Sequence, residues 1–176
     1  LEKRLRNILD HGAYIMGPEV YELEEKLADY CGVKHAISCS SGTDALLIPL
    51  MAWDIGPGDA VFTTPFTYVA TAEVIAILGA TPVFVDVYDS TFNIDCEKLE
   101  IAIKDTLEKG ELKPKAIIPV DLFGLPARYR LIKDIAKKYN LKVVEDGAQS
   151  FGGSIRGKRV GSFGDIAATS FYPAKP

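Results

Sequence analysis

Apolar positions along the chain alternate between two patterns, one with helical spacing and one of short continuous runs. Leu1, Leu5, Ile8 and Leu9 keep helical spacing until Gly12 breaks it. A second helical pattern opens at Pro18, directly after Gly17, and carries Val20, Leu23, Leu27 and Tyr30. Between them, Tyr14, Ile15 and Met16 are apolar loop residues expected to pack rather than to line a cleft. Val33 to Ser38 reads as a short strand, and Ser40-Ser41-Gly42-Thr43-Asp44 introduces a helix from Ala45 to Trp53, which Pro49 is expected to kink or shorten.

The alternation then continues. Gly56-Pro57-Gly58-Asp59 is a turn, followed by a strand at Ala60 to Thr63, a helix at Tyr68 to Leu78 and a strand at Thr81 to Val87. Asp95 caps a helix running to about Lys109, and Lys115 to Val120, Arg128 to Tyr139 and Lys142 to Glu145 read as strand, helix and strand. The glycine-rich stretch from Gly152 to Gly164 reads as a hairpin with Arg156-Gly157-Lys158 at its tip, and a small-residue strand begins near Ala167. This order predicts an α/β fold, a three-layer α/β/α arrangement whose mainly parallel central sheet is covered on both faces.

At 176 residues and 48% hydrophobic, the chain is long enough to bury one sizeable core as a single domain. Its net charge of -4, with cations scattered among acids, counts against a nucleic-acid partner. Cys31, Cys39 and Cys96 form no CxxC pair, so neither a disulfide framework nor a zinc site is expected, and a reducing cytoplasm fits best. Leu1 to Asp10 is charged and amphipathic rather than a signal peptide, and no apolar run reaches membrane-spanning length. A start at Leu1 and a stop at Pro176 read as a piece of a longer protein.

In a parallel sheet, ligands collect outside the carboxyl ends of the strands. The chemistry-bearing residues fall there: Ser41 to Thr43, Thr64 to Tyr68, Asp146 to Gln149 and Ser170 to Lys175. Taken alone, each has an ordinary reading. Ser41 is a helix N-cap, Tyr68 a core ring, Asp146 a capping or salt-bridged carboxylate, and Lys175 a solvated surface charge. Together they are the parts that hold pyridoxal 5'-phosphate: an anion cradle, an aromatic face, a carboxylate for the ring nitrogen and an amine for the aldehyde. Asp86 ends a strand but follows no G-x-G-x-x-G turn and is read as structural; Glu73 is read as solvated or capping; His11 and His35 lack ligand spacing.

The ordered set Gly17-Pro18, Ser41 to Leu46, Gly56 to Asp59, Thr64 to Tyr68, Val85-Asp86-Val87, Glu145 to Ser150 and Ser170-Phe171 with Lys175 resembles the DegT/DnrJ/EryC1/StrS sugar aminotransferases. These are fold-type I pyridoxal phosphate enzymes. The resemblance spans almost the whole chain and implies that residues 1–176 are the cofactor-binding large domain, lacking a smaller carboxyl-terminal one. It implies that Gly42, Thr43 and the Ser170 hydroxyl bind the cofactor phosphate, Tyr68 stacks on the ring, Asp146 pairs with the pyridine nitrogen, Gln149 meets the ring hydroxyl and Lys175 forms the Schiff base. It further implies amino transfer, with glutamate as usual donor, to a keto sugar on a nucleoside diphosphate, in a homodimer with shared active sites, within polysaccharide biosynthesis. The context Ser-Phe-Tyr-Pro-Ala-Lys-Pro is most similar to members aminating the 3-keto carbon of a UDP-linked acetamido uronic acid. The family's dehydratases carry histidine where this chain has Lys175. Two other readings stay open: a regulator or binding module built on the same fold, and a nicotinamide-dependent oxidoreductase domain, against which the missing glycine fingerprint counts.

Overall fold

The computed structural model describes residues 1–175. It divides into two compact units, Leu1–Ser38 and Cys39–Pro176. The first holds α1 (Glu2–His11) and α2 (Pro18–Cys31), each ended by a glycine in the left-handed conformation, Gly12 and Gly32. Arg4 pairs with Glu22 at 2.9 Å. His11 bonds Glu19 at 3.2 Å and accepts from the Ala13 N–H, and His35 is exposed.

Val33 to Ser38 does not form the expected strand. A strand needs a neighbour for its backbone groups, and here they are taken locally. The Val33 N–H closes the end of α2 on the Ala28 carbonyl, and the Ser38 N–H goes to the Glu24 carboxylate. Ile37 stands 86% exposed. Tyr14, Ile15 and Met16 are likewise exposed rather than packed.

In the second unit, the described residues form α3 (Gly42–Ala52), β1 (Asp59–Thr63), α4 (Ala70–Ile77), β2 (Thr81–Phe84), α5 (Cys96–Lys109), β3 (Lys113–Ile118), α6 (Tyr129–Tyr139) and β4 (Lys142–Asp146). A hairpin of β5 (Ser154–Ile155) and β6 (Lys158–Arg159) follows, then β7 (Ile166–Ala168). The main sheet has the order β2-β1-β3-β4-β7, and every pair in it is parallel. The hairpin turns at Arg156 and Gly157, both at positive φ, as a two-residue connection requires.

Successive strand residues point to opposite faces, so the sheet builds two cores. Ala60, Phe62, Ile117 and Val143 pack with Leu99 and Ile103 of α5 and with Ile132 and Ala136 of α6. Val61, Ala116, Ile118 and Val144 pack on the other face with Leu46 and Leu50 of α3 and Val74 and Ile75 of α4. The three layers are those expected from the strand and helix order. Helix α3 runs through Pro49 for three more residues, and Trp53 closes it by bonding back to Pro49 and Leu50. Asp95 caps α5 through the N–H groups of Glu97 and Lys98, and Asp86 pairs with Lys98 at 2.7 Å, a structural role.

Glu145, fully buried in β4, ties the hairpin exit to the sheet. Its carboxylate accepts from the N–H groups of Gly161 (2.6 Å), Phe163 (2.7 Å) and Gly164 (3.2 Å). Burial pushes its carboxyl above the usual range while these three donors oppose the rise. The Phe163 ring stacks on Tyr129 at 4.8 Å, and β7 then enters beside β4. Glu145→Gln in the full-length protein puts an amide N–H against backbone donors; we expect a loss of about 1–3 kcal/mol. Thermal unfolding measures it, and an unchanged midpoint contradicts this role of Glu145.

Candidate active site

The order of β1, β2 and β3 places a switch point between β1 and β3, because the chain leaves β1 toward β2 and returns to β1's other side. Such a point opens a crevice at the carboxyl ends of the strands. Asp146 ends β4 at this edge, β7 leads into Ser170 and Lys175, and α3 and α4 begin near it.

Asp146 is 4% exposed. Its Oδ2 accepts from the Thr71 hydroxyl at 2.8 Å and its Oδ1 from the Ala148 N–H at 3.3 Å. Thr71 is in turn 2.9 Å from the Thr67 hydroxyl. Burial raises the Asp146 carboxyl above its ordinary range, and the two hydrogen bonds and the nearby Lys175 charge oppose this.

Lys175 sits in a turn closed by its own N–H on the Tyr172 carbonyl at 2.8 Å. Its Nζ lies 5.8 Å from the centre of the Tyr68 ring, which is itself 65% exposed and faces solvent rather than core. Pro176, which ends the Ser-Phe-Tyr-Pro-Ala-Lys-Pro stretch, lies outside the described residues.

At the start of α3, Ser41 caps the helix: its Oγ accepts from the Asp44 N–H at 3.1 Å, and Ser40 and Ser41 both donate to the Asp44 carboxylate. The Ala45 N–H bonds the Ser41 carbonyl. Among the described residues this leaves the N–H groups of Gly42 and Thr43 directed out of the helix end for an anion. Ser170 is beside them. A Cβ added at Gly42 would stand 3.0 Å from the Ser170 Cβ and 3.3 Å from its Oγ, so glycine is what lets this hydroxyl approach the helix end. Thr169 Oγ1, on the same strand exit, is buried and has no partner among the described residues.

Of the seven residues singled out in the sequence, the structure brings Gly42 to Ser170 and sets Lys175 between Tyr68 and the field of Asp146. Thr43 joins through Gly42. Gln149 stands in the turn after Asp146, and its Oε1 accepts from the Phe123 N–H at 3.4 Å, which leaves its amide nitrogen as donor. Two residues escaped the sequence reading, Thr71 and Asp121. Thr71 follows Tyr68 by one helical turn, and Asp121 ends an apolar strand run as Asp146 does, so the rule that selected Asp146 selects it as well. Among the described residues no group of histidines, cysteines and acids is arranged to hold a metal, and no helix is long and apolar enough to cross a membrane.

Comparison with known proteins places the chain. It is 51% identical over all 176 residues to the UDP-2-acetamido-2-deoxy-3-oxo-D-glucuronate aminotransferase of Pseudomonas aeruginosa, covering 47% of that protein. A crystal structure of a DegT DnrJ EryC1 StrS aminotransferase from Brucella abortus superposes with a TM-score of 0.98 at 54% identity, over 99% of this chain and 47% of that one. NtdA from Bacillus subtilis, solved with bound cofactor PMP, matches at a TM-score of 0.86 and 36% identity, over 97% of this chain and 37% of that one. The chain thus spans about half the length of the curated relatives it matches. The model of the DegT/DnrJ/EryC1/StrS aminotransferase family matches residues 1–176, and the chain belongs to that family.

Proposed function

We propose that the full-length protein is a pyridoxal phosphate-dependent aminotransferase that moves an amino group, with glutamate as donor, to a keto sugar linked to a nucleoside diphosphate. Residues 1–176 are the large-domain portion, and a homodimer completes the site. The observation that carries the reading is Asp146: a buried carboxylate, oriented by a hydroxyl and an N–H, facing the same crevice as a lysine and a helix end with two free donors. Such an acid is suited to a cationic ring nitrogen, whose charge would offset the desolvation that raises its carboxyl. The glycine cradle at Gly42 and the unpartnered Thr169 hydroxyl fit a phosphate-bearing group at the same place. The similarity to the Pseudomonas enzyme favours the 3-keto carbon of a UDP-linked acetamido uronic acid as acceptor.

Bound there, the cofactor supplies an electrophilic aldehyde and a ring that takes up electron density. The chain's own residues do the rest. Gly42 and Thr43 N–H groups and the Ser170 hydroxyl hold the phosphate; the positive end of α3 favours its charge. Asp146, steadied by Thr71, would hold a proton on the ring nitrogen. Tyr68 would lie against the ring, and the Gln149 amide would be the donor to the ring hydroxyl. Lys175 Nζ would be the amine that holds the aldehyde and, when free, the base that takes and returns a proton at the substrate carbon.

In the full-length protein, Lys175→Ala is expected to cut transamination of keto sugar nucleotides by at least about 10⁴-fold with the fold retained. Activity near wild type overturns the assignment. Asp146→Asn is expected to lower kcat by about 100-fold or more with little change in unfolding midpoint, and steady-state kinetics beside a melting curve check this. Thr71→Val removes one hydrogen bond from Asp146 and is expected to cost roughly tenfold in kcat; a full-rate Thr71→Val enzyme contradicts its role in holding Asp146.

A further inference from the structure

Asp121 has no place in the roles above, yet it is built into the same edge of the sheet. It follows β3, and its carboxyl is fully buried. Oδ1 accepts from the Ala127 N–H and the Tyr129 hydroxyl, both at 2.8 Å, and Oδ2 is 3.3 Å from Ser150 Oγ. Its backbone N–H donates to the Asp146 carbonyl and the Asp146 N–H donates to the Pro119 carbonyl, each at 3.0 Å. The Ser150 N–H closes the turn onto the Gly147 carbonyl at 3.1 Å. Gln149 lies within that turn, and its Oε1 meets the N–H of Phe123, in the loop that Asp121 closes through Ala127.

We propose that Asp121 is a positioning residue for the cofactor site: its carboxyl fixes the Gly147–Ser150 turn against the exit of β3 and so sets where Asp146 and Gln149 stand. This rests on the reading that the site takes pyridoxal phosphate.

The proposal extends to which form of Asp121 does this. Ser150 has one hydroxyl hydrogen and two acceptors in reach, Asp121 Oδ2 at 3.3 Å and the Gly147 carbonyl at 3.4 Å. The competition ends when Asp121 carries a proton: Oδ2–H donates to Ser150 Oγ, and Ser150 gives its own hydrogen to Gly147. Burial favours that form and lifts the carboxyl to about 7; the Glu145 carboxylate adds to the rise, and hydrogen bonds from Ala127, Tyr129 and Ser150 oppose it. The titratable groups around it are Tyr129 of α6 with Glu145 and Asp146 of β4, and burial raises all three. An acid whose folded value lies above its unfolded value adds stability below pH about 4 and withdraws it as pH rises toward 7. Ionisation of Asp121 then leaves both Oδ atoms as acceptors and Ser150 divided between two partners.

Asp121→Asn puts an amide N–H where the proton stands. In the full-length protein, the dissociation constant of pyridoxal phosphate, read from cofactor absorbance, is expected to rise several-fold between about pH 6 and 8 for wild type and markedly less for Asp121→Asn. The unfolding midpoint of the cofactor-free Asn variant is expected to fall less than that of wild type as pH rises from about 4 to 7. Asp121→Ala is expected to weaken cofactor binding about tenfold and to lower kcat more than it changes KM. If Asn follows wild type in both pH series, the inference is overturned; should the Ala variant fail to fold, this comparison still decides. Wild-type protein that takes up no pyridoxal phosphate overturns the cofactor reading itself, whereas wild type that binds and turns over beside a pH-indistinguishable Asn variant overturns only the role of Asp121.

Discussion

Taking the Asp146 carboxyl out of water at the end of a buried strand is the constraint on which the rest of the site depends. A carboxylate so placed loses several kcal/mol of hydration unless something replaces it. Two of the three acids clustered here are supplied from within the chain. Glu145 is wrapped by three backbone N–H groups, and Asp121 has the Ala127 N–H and the Tyr129 hydroxyl on one oxygen and the Ser150 hydroxyl beside the other. Asp146 receives one hydroxyl and one distant N–H, and burial raises its carboxyl as it does those of Glu145 and Asp121. It is the member of the three that faces the crevice with capacity left, and a cationic ring nitrogen is the partner that would complete it.

The sheet makes this arrangement possible. Because alternate strand residues feed opposite cores, β4 sends Val143 to one face and Val144 to the other, which anchors the strand before it ends in Glu145 and Asp146. The same packing brings β7 alongside β4, so Ser170 leaves the sheet beside the α3 helix end and Lys175 returns toward Tyr68. Residues far apart in the chain converge because every strand in the main sheet points the same way.

What could be read from the sequence was whatever its local pattern determines. The end of α1 and the starts of α2 and α5 follow from Gly12, Pro18 and Asp95, residues whose effect on a helix terminus is a property of their own neighbourhood. The layered fold follows from the alternation of apolar runs and helical spacing. Val33 to Ser38 was misread because strand propensity says nothing about whether a neighbouring strand exists to accept its hydrogen bonds. Thr71 and Asp121 were passed over for a similar reason. Thr71 earns its place only through a bond to a residue 75 positions away, and the Asp121–Ser150 contact spans 29. The residues proposed for the cofactor site each lie where a strand ends or a helix begins, which local pattern reveals, but the hydrogen bonds that orient them come from tertiary pairing.

Lys175 is proposed as the amine that holds the cofactor in the crevice beside Asp146. Borohydride reduction of the full-length protein equilibrated with pyridoxal phosphate, followed by peptide mass mapping, tests it most directly. The reduced cofactor mass is expected on the peptide that contains Lys175. Modification of a different lysine, or no stable modification of a protein that stays colourless, would contradict it.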